Sequence, residues 1–308
     1  MQKVVRIGTR DSQLALWQAM QVKDLLSRHQ ISSELVHIKS EGDIDLKTPL
    51  YEMGVQGIFT RSLDIALLNK NIDIAVHSMK DVPTQLAMGI EQAAVLKRGN
   101  PKDLLVLKGP GKNINDINAH FIVATSSIRR KAQWLHRYPN HVIENLRGNV
   151  NTRLQKLKEN HWDAAIFAAA GLERINLRPE NSAELDWMLP APSQGAIMLV
   201  CRQEDSESLE ICKYLNDDAT STCAKIERDF LRTLLGGCST PIAALAEIEE
   251  DELFFRGNIL TPDGTKKAEI EKILPIEKVA NLGKEAAEEL LASDDGKEII
   301  ETIRNDKK

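Results

Sequence analysis

Apolar residues along the chain come in short, turn-bounded bursts whose period switches between two and about 3.6. Residues 3–9 (KVVRIGT) form a β-rich run, and residues 12–29 follow with Leu14, Leu16, Trp17, Met20, Val22, Leu25 and Leu26 at mostly helical spacing. A strand therefore feeds a helix. Strand-like 34–40 (ELVHIKS), helical 59–71 and strand-like 72–78 (IDIAVHS) continue the alternation, which predicts a mostly parallel sheet with helices on its faces. After the turn-prone RGNPKD (98–103) the pattern restarts: DLLVLK, HFIVATSS leading into IRRKAQWLHRY, VIENLRG before VNTRLQKLKEN, and DAAIFAAAG. That restart predicts a second α/β lobe.

The lobes open alike. RIGTRDSQLALW (6–17) and IVATSSIRRKAQW (122–134) each pass from an apolar strand through Thr and small polar residues to a helix carrying Trp17 or Trp134. The likeness is too weak for a sequence repeat but fits two related lobes across a cleft, where α/β proteins bind ligands beyond the carboxyl ends of strands. Proline-rich LPAPSQG (189–195) precedes the apolar strand AIMLVCR (196–202), so the chain is expected to cross between lobes there. A helix is predicted over 219–235, closed by Gly236-Gly237. IAALAEI and LFFRGNIL read as strands, TPDGT (261–265) as a hairpin turn and 278–292 as an amphipathic helix. The expected fold is α/β: a discontinuous first lobe (1–98 and 194–215), a second lobe (102–190) and a smaller C-terminal α/β domain (219–308).

Composition narrows the class. The 308 residues are 42% hydrophobic and 28% charged, as in soluble globular proteins, and the apolar runs are too short to cross a bilayer. The N-terminal MQKVVRIGTR lacks the apolar core of a signal peptide, so a cytoplasmic protein is expected. Four cysteines without a CxxC pair suggest no zinc site, and no metal is expected. The net charge of −5 gives no reason to expect a nucleic-acid or membrane partner, and aromatics at 4% leave little for a base-stacking platform. The distribution says more. Residues 121–160 hold eight Arg and Lys against two acids, whereas residues from 243 onward hold seventeen acids against ten Arg and Lys. A basic centre inside an acidic chain calls for an anionic partner.

Thr125, Ser126 and Ser127, followed by Arg129 and Arg130, present hydroxyls, helix N-terminal N–H groups and guanidinium forks suited to carboxylate or phosphate. An ordinary Ser N-cap with two solvated arginines fits the same residues. Arg10 with Ser12, and Arg147 with Arg153, add cations at comparable strand ends, which favours a ligand with several acidic groups. Asp81, after Lys80 and before Pro83, can be a general acid or base or a cation stabiliser; a turn-capping Asp is the plainer alternative. Cys238 follows Gly236-Gly237 in a loop and can be a nucleophile or covalent anchor. Cys201, Cys212 and Cys223 lie in strand- or helix-like segments, where a buried thiol is expected.

Taken in order, RIGTRDSQLALWQ, DIAVHSMKDVP, ATSSIRR, LRGNVNTRL, AAAGLERI, PSQGAI and LLGGCSTPIA resemble the porphobilinogen deaminase (hydroxymethylbilane synthase) family of tetrapyrrole biosynthesis, from about Arg6 to beyond Cys238. The resemblance implies two lobes like those of periplasmic binding proteins plus a third domain bearing a cysteine loop. It implies a transferase that is a monomer and carries a dipyrromethane cofactor through a thioether on Cys238. Four porphobilinogen units lose ammonia in turn and join head to tail on that primer, and water releases 1-hydroxymethylbilane. The fullest intermediate, six rings, bears twelve carboxylates, which matches the arginines. By resemblance Asp81 is catalytic, with Lys80, Asp81, Thr125, Ser126, Ser127, Arg129, Arg130 and Arg153 holding the cofactor. Substrate or growing chain falls to Arg10, Ser12, Gln18, Phe59, Arg147, Gly148, Arg174, Gln194 and Gly195; a plain core role for Phe59 stays open. The family's GGKGLF stretch reads GVQGIF here, with Val55 for a glycine and Gln56 for a lysine, and Arg61 nearby as a compensating cation. PAPSQGAI also lacks the family's usual lead-in glycine.

Two other classes compete. A non-catalytic bilobal binding protein for a polyanion explains the lobes and arginines but gives Gly-Gly-Cys and the third domain no purpose. A phosphate-handling or RNA-modifying enzyme is opposed by the acidic total charge, the few aromatics and the absence of a P-loop pattern.

Overall fold

The computed structural model describes residues 4–39, 60–109, 121–234 and 240–305. The first lobe runs β1 (Val5–Thr9), α1 (Gln13–Arg28), β2 (Ser33–His37), α2 (Arg61–Leu68), β3 (Ile74–Ser78) and β4 (Ile90–Leu96). The second runs β5 (Asp103–Leu107), β6 (Ile122–Ala124), α3 (Ile128–Arg137), β7 (Val142–Glu144), α4 (Val150–Glu159), β8 (Ala164–Ala168), α5 (Ala169–Glu173) and β9 (Ser182–Glu184). Then come β10 (Ile197–Arg202), α6 (Ser206–Lys213) and α7 (Asp218–Thr233). The last domain comprises β11 (Ile242–Glu249), β12 (Glu252–Leu260), β13 (Lys267–Pro275), α8 (Leu282–Ala292) and α9 (Asp294–Asn305).

Both lobes have one topology. Their sheets are ordered β2-β1-β3-β10-β4 and β7-β6-β8-β5-β9. In each, the second strand in the order, β1 or β6, lies parallel between two neighbours, and the fourth runs antiparallel to both of its neighbours. That antiparallel strand is β10, reached after the second lobe is complete, in one sheet, and β5, the first strand after the crossing, in the other. The chain thus passes between lobes twice, before β5 and before β10. Central strands are buried on both faces: Ile74 and Val76 pack on one side of β3 and Ala75 on the other, while all six residues of β10 are buried. A sheet covered twice by helices demands such uninterrupted apolar runs.

The opening likeness of the lobes is structural. Ser12 caps α1 by accepting from Ala15 N at 3.3 Å, and Ser127 caps α3 by accepting from Arg130 N at 3.4 Å. The third domain is an antiparallel sheet, β11-β12-β13, under α7, α8 and α9, with its own core around Phe230, Phe255 and Ile259. The TPDGT turn joins β12 to β13. Strand β13 was not expected from the sequence, nor were β4, β9, α6 and α9, and α8 starts at Leu282 rather than 278. Among the described residues, no helix is long and apolar enough to cross a membrane.

Candidate active site

Strand β3 runs out at Ser78 into a single 3-10 turn, Met79–Asp81, which presents Lys80 and Asp81 at its carboxyl end. Gln18 Nε2 of α1 donates to the Ser78 hydroxyl at 2.9 Å and ties that helix to the strand end. Arg10 lies between β1 and the Ser12 cap. His77, buried in β3, is pushed down to about 4 by burial and then by the Arg10 charge, so its ring is neutral at pH 7.

The second lobe supplies the matching strand end. Thr125 Oγ1 accepts from Ser127 N at 3.2 Å, Ser126 stands between them, and Ser127 starts α3. Arg129 and Arg130 turn inward and are only 4% and 5% exposed, which excludes the solvated alternative. Both grip Asp103, the first residue of β5. Arg129 Nη2 donates to Oδ2 at 2.8 Å, and Arg130 reaches Oδ1 with Nη2 at 2.7 Å and Nε at 3.1 Å. Their other Nη atoms donate to the carbonyls of Leu189 (2.6 Å) and Ile166 (2.9 Å). Burial would raise the Asp103 carboxyl, but the two guanidiniums overcome that and hold it well below the usual carboxylate range.

Gln194, on the segment crossing back to the first lobe, links these two ends. Its Nε2 donates to Asp103 Oδ1 at 2.9 Å and to Pro101 O at 2.7 Å, while its Oε1 accepts from Lys80 Nζ at 3.1 Å. Lys80 is pushed down to about 8, by burial first and Arg130 next, against the pull of Asp81 and Asp103. Arg153 donates from Nε to Gly148 O at 2.7 Å and is pushed down to about 10 by burial and Arg130, with Asp81 opposing and buried Arg147 adding to the shift. Lys80, Arg129, Arg130, Arg147 and Arg153 thus crowd around two carboxylates, Asp81 and Asp103. Such an excess of buried and half-buried cations suits a polyanion.

At the rim, Arg174 Nη2 donates to Gly195 O at 2.6 Å and its guanidinium lies over the Trp17 ring, 5.6 Å from the centroid. Burial pushes it down to about 10. Gly195 has φ +88°, and a Cβ there would stand 2.6 Å from Gly99 O, so the crossing needs glycine. Cys238, Phe59, Val55 and Gln56 lie outside the described residues, and Arg61 opens α2. Cys201, Cys212 and Cys223 are buried; burial raises all three thiols, Cys201 and Cys223 to about 12, so they are inert.

Sequence reasoning missed three residues. Asp103 was read as part of a turn; its signal is an acid abutting the apolar LLVL beside a basic segment. Glu227, fully buried in α7, accepts from Arg98 Nη1 at 2.6 Å and Nη2 at 3.1 Å, from Ser193 N at 2.6 Å and from Ala246 N at 2.8 Å. It bolts the third domain to both crossing segments. Its neighbour Arg228 reaches the Asp81 turn.

Comparison with known proteins gives the chain relatives along nearly its whole length. Residues 5–210 match the family model "Porphobilinogen deaminase, dipyromethane cofactor binding domain", and residues 221–292 match "Porphobilinogen deaminase, C-terminal domain". The chain is 39% identical over 308 residues to the porphobilinogen deaminase of Desulforamulus reducens, covering 99% of each. It is 42% identical over 301 residues to the chloroplastic porphobilinogen deaminase of Pisum sativum, covering 94% of this chain and 81% of the relative. Among solved structures, a probable amino-acid ABC transporter extracellular-binding protein of Bacillus subtilis superposes over 70% of this chain and 91% of its own, with TM-score 0.42 and 14% identity. Two family models in the expected order, and relatives matched nearly end to end, leave one conclusion: the chain belongs to the porphobilinogen deaminase family.

Proposed function

We propose that the cation-lined site between the strand ends is where this chain performs the family's reaction, as a hydroxymethylbilane synthase of tetrapyrrole biosynthesis. It is a transferase that removes ammonia from four porphobilinogen molecules and joins them head to tail on a dipyrromethane primer, releasing 1-hydroxymethylbilane. The observation that carries the site assignment is the crowding, among the described residues, of Lys80, Arg129, Arg130, Arg147 and Arg153 around the carboxylates of Asp81 and Asp103.

The residues fit the primer. Arg129 Nε is buried without a hydrogen-bond partner among the described residues, and Lys80 and Arg153 carry pKa values lowered by burial and by neighbouring arginines, Arg130 foremost, a penalty that carboxylates relieve. Lys80, Thr125, Ser126, Ser127, Arg129, Arg130 and Arg153 would hold the primer's acidic side chains, with Cys238 as the covalent anchor. When bound, dipyrromethane supplies a nucleophilic pyrrole carbon for the first added unit. Arg10, Ser12, Gln18, Phe59, Arg147, Gly148, Arg174, Gln194 and Gly195 would hold substrate or growing chain. Departure of ammonia leaves positive charge spread over the porphobilinogen ring. Asp81, at the end of β3, would stabilise that charge and take the proton that the coupled ring releases.

The division into 1–98 with 194–215, 102–190 and 219–308 is part of this reading, as is a monomer. Cytoplasmic placement is supported by the free buried thiols of Cys201, Cys212 and Cys223. An intact-mass spectrum of the purified protein tests the function. Two pyrrole units of added mass, lost in Cys238→Ser, together with porphobilinogen consumption, support it; a bare chain that consumes no porphobilinogen overturns it.

A further inference from the structure

Helix α7 approaches the Asp81 turn from outside the cation cluster. Ile226 and Phe230 place it in the core of the third domain, while Ala224 packs with Met79 and Val82 in a core of the first lobe. Arg228, half-buried, leaves α7 toward that lobe. Its Nη1 donates to Val82 O at 2.9 Å and, more weakly, to Met79 O at 3.4 Å, and its Nη2 donates to Pro83 O. Met79 O also accepts from Val82 N at 3.1 Å, closing the turn. Three carbonyls bracketing Asp81 are thus gathered on one guanidinium, whose planar fork sets their relative positions more tightly than a single donor could. The same helix ends at Thr233, five residues before Cys238.

We propose that Arg228 is a positioning residue for the deaminase reaction. It fixes the turn carrying Asp81 to α7, the helix seated in the core of the third domain, so the carboxylate is held against one rigid element. The inference rests on the role assigned above to Asp81. Its physical content is distance: bond formation needs reacting atoms about 3–3.5 Å apart, and a misplacement of about 1 Å costs about a hundredfold in rate. The bonds from Arg228 to this turn go to backbone carbonyls, and Arg228 is none of the residues assigned above to primer or substrate.

The test compares Arg228→Gln and Arg228→Lys with the native holoenzyme, counting only molecules whose intact mass shows the primer. The expected result is a kcat at least tenfold lower for Arg228→Gln, a KM for porphobilinogen within about twofold, and partial recovery in Arg228→Lys, which keeps the charge but not the fork. Placed in the Asp81→Asn background, Arg228→Gln should cause no further loss of the residual rate, because its effect runs through Asp81. A purely structural role predicts a lower melting temperature with native kcat per primer-loaded molecule. That result, or an equal loss in both backgrounds, overturns the inference. If Arg228→Gln does not fold, Arg228→Lys decides by the same criteria. An inactive Asp81→Asn beside a native-like Arg228 variant sinks the inference alone, whereas a fully active Asp81→Asn sinks the reading of Asp81 on which it stands.

Discussion

Lys80 and Gln194 meet at 3.1 Å, ammonium to amide oxygen, and because the Gln194 amide nitrogen donates to Asp103, the glutamine can face them only one way round. The lysine of the first lobe is therefore wired to the carboxylate of the second through the crossing segment. Lys80 is left with a neutral acceptor, two arginines nearby and little water, which pushes it down to about 8.

Half of the Lys80 population should accordingly be neutral near pH 8 in protein without primer. Reductive methylation with 13C-formaldehyde gives each lysine a carbon signal, and the one missing from Lys80→Arg identifies Lys80. Its midpoint is expected near 8 without primer and higher with primer bound, since carboxylates favour the charged form. A midpoint above 10 in the primer-free protein would show that the burial penalty is absent.

Asp103 carries the opposite shift, and its sign sets a pH window. A carboxyl whose folded pKa is depressed contributes stability that is fully present above its unfolded value near 4, and loses it as pH falls toward the folded value. Replacing it with Asn leaves two buried guanidiniums sharing a neutral acceptor, a change that costs about 3–5 kcal/mol at neutral pH. In urea titrations Asp103→Asn should be destabilised by that amount at pH 7. It should also lose up to about 1.4 kcal/mol per pH unit from the acid limb below pH 4. Equal slopes in the two proteins would mean that Asp103 is not the group titrating there.

Asp81, unlike Asp103, is not gripped by arginine forks among the described residues. Asp81→Asn should fold, keep its melting temperature within a few degrees and accept the primer, yet lose about a hundredfold or more of kcat, the usual reach of a positioned acid or base. Asp81→Glu, which keeps the charge on a longer arm, should retain more activity than Asn. Quenched-flow samples read by intact mass would show where addition stops. Turnover near native in Asp81→Asn would refute its role.

The repeated lobe was legible because local chemistry announces it: Ser12 and Ser127 cap equivalent helices after equivalent strands, a pattern carried within a dozen residues. The cations Arg10, Arg129, Arg130, Arg147 and Arg153 could be read as a charge pattern at strand ends, whereas Lys80 and Asp81 enter the expected site only through the family resemblance. Asp103 was not, because the partners that define it lie 26 and 27 residues away and nothing in RGNPKD separates a buried carboxylate from a turn. Glu227 and Arg228 were missed for the converse reason. Adjacent charges on a helix read as a solvated face, yet one reaches Arg98 and the other Pro83, contacts 129 and 145 residues apart. Strand β13 (KAEIEKILP) hides as well, since an edge strand tolerates the charges that protect it from further pairing.

Gly264, at the tip of the β12–β13 hairpin, decides how the third domain meets the second lobe. Its carbonyl accepts from His136 Nδ1 at 2.8 Å, and its backbone lies against α3, the helix that carries Arg129 and Arg130 in its first turn. A Cβ there would stand 2.5 Å from Ala132 O and 2.7 Å from His136 N, and φ is +76°, so neither helix nor turn can accommodate a side chain without moving. The left-handed conformation alone costs an L-residue roughly 1–2 kcal/mol. Relieving the clash means lifting the hairpin off α3. Gly264→Ala is therefore expected to lower the melting temperature by roughly 5 °C. It should also speed amide exchange in α3 between residues 132 and 136, while leaving exchange in β1 and β3 unchanged. Thr265→Ala, one residue along the same turn, is the control for loss of local turn bonds. An unchanged melting temperature together with unchanged exchange in α3 would mean that the hairpin does not brace the arginine-bearing helix.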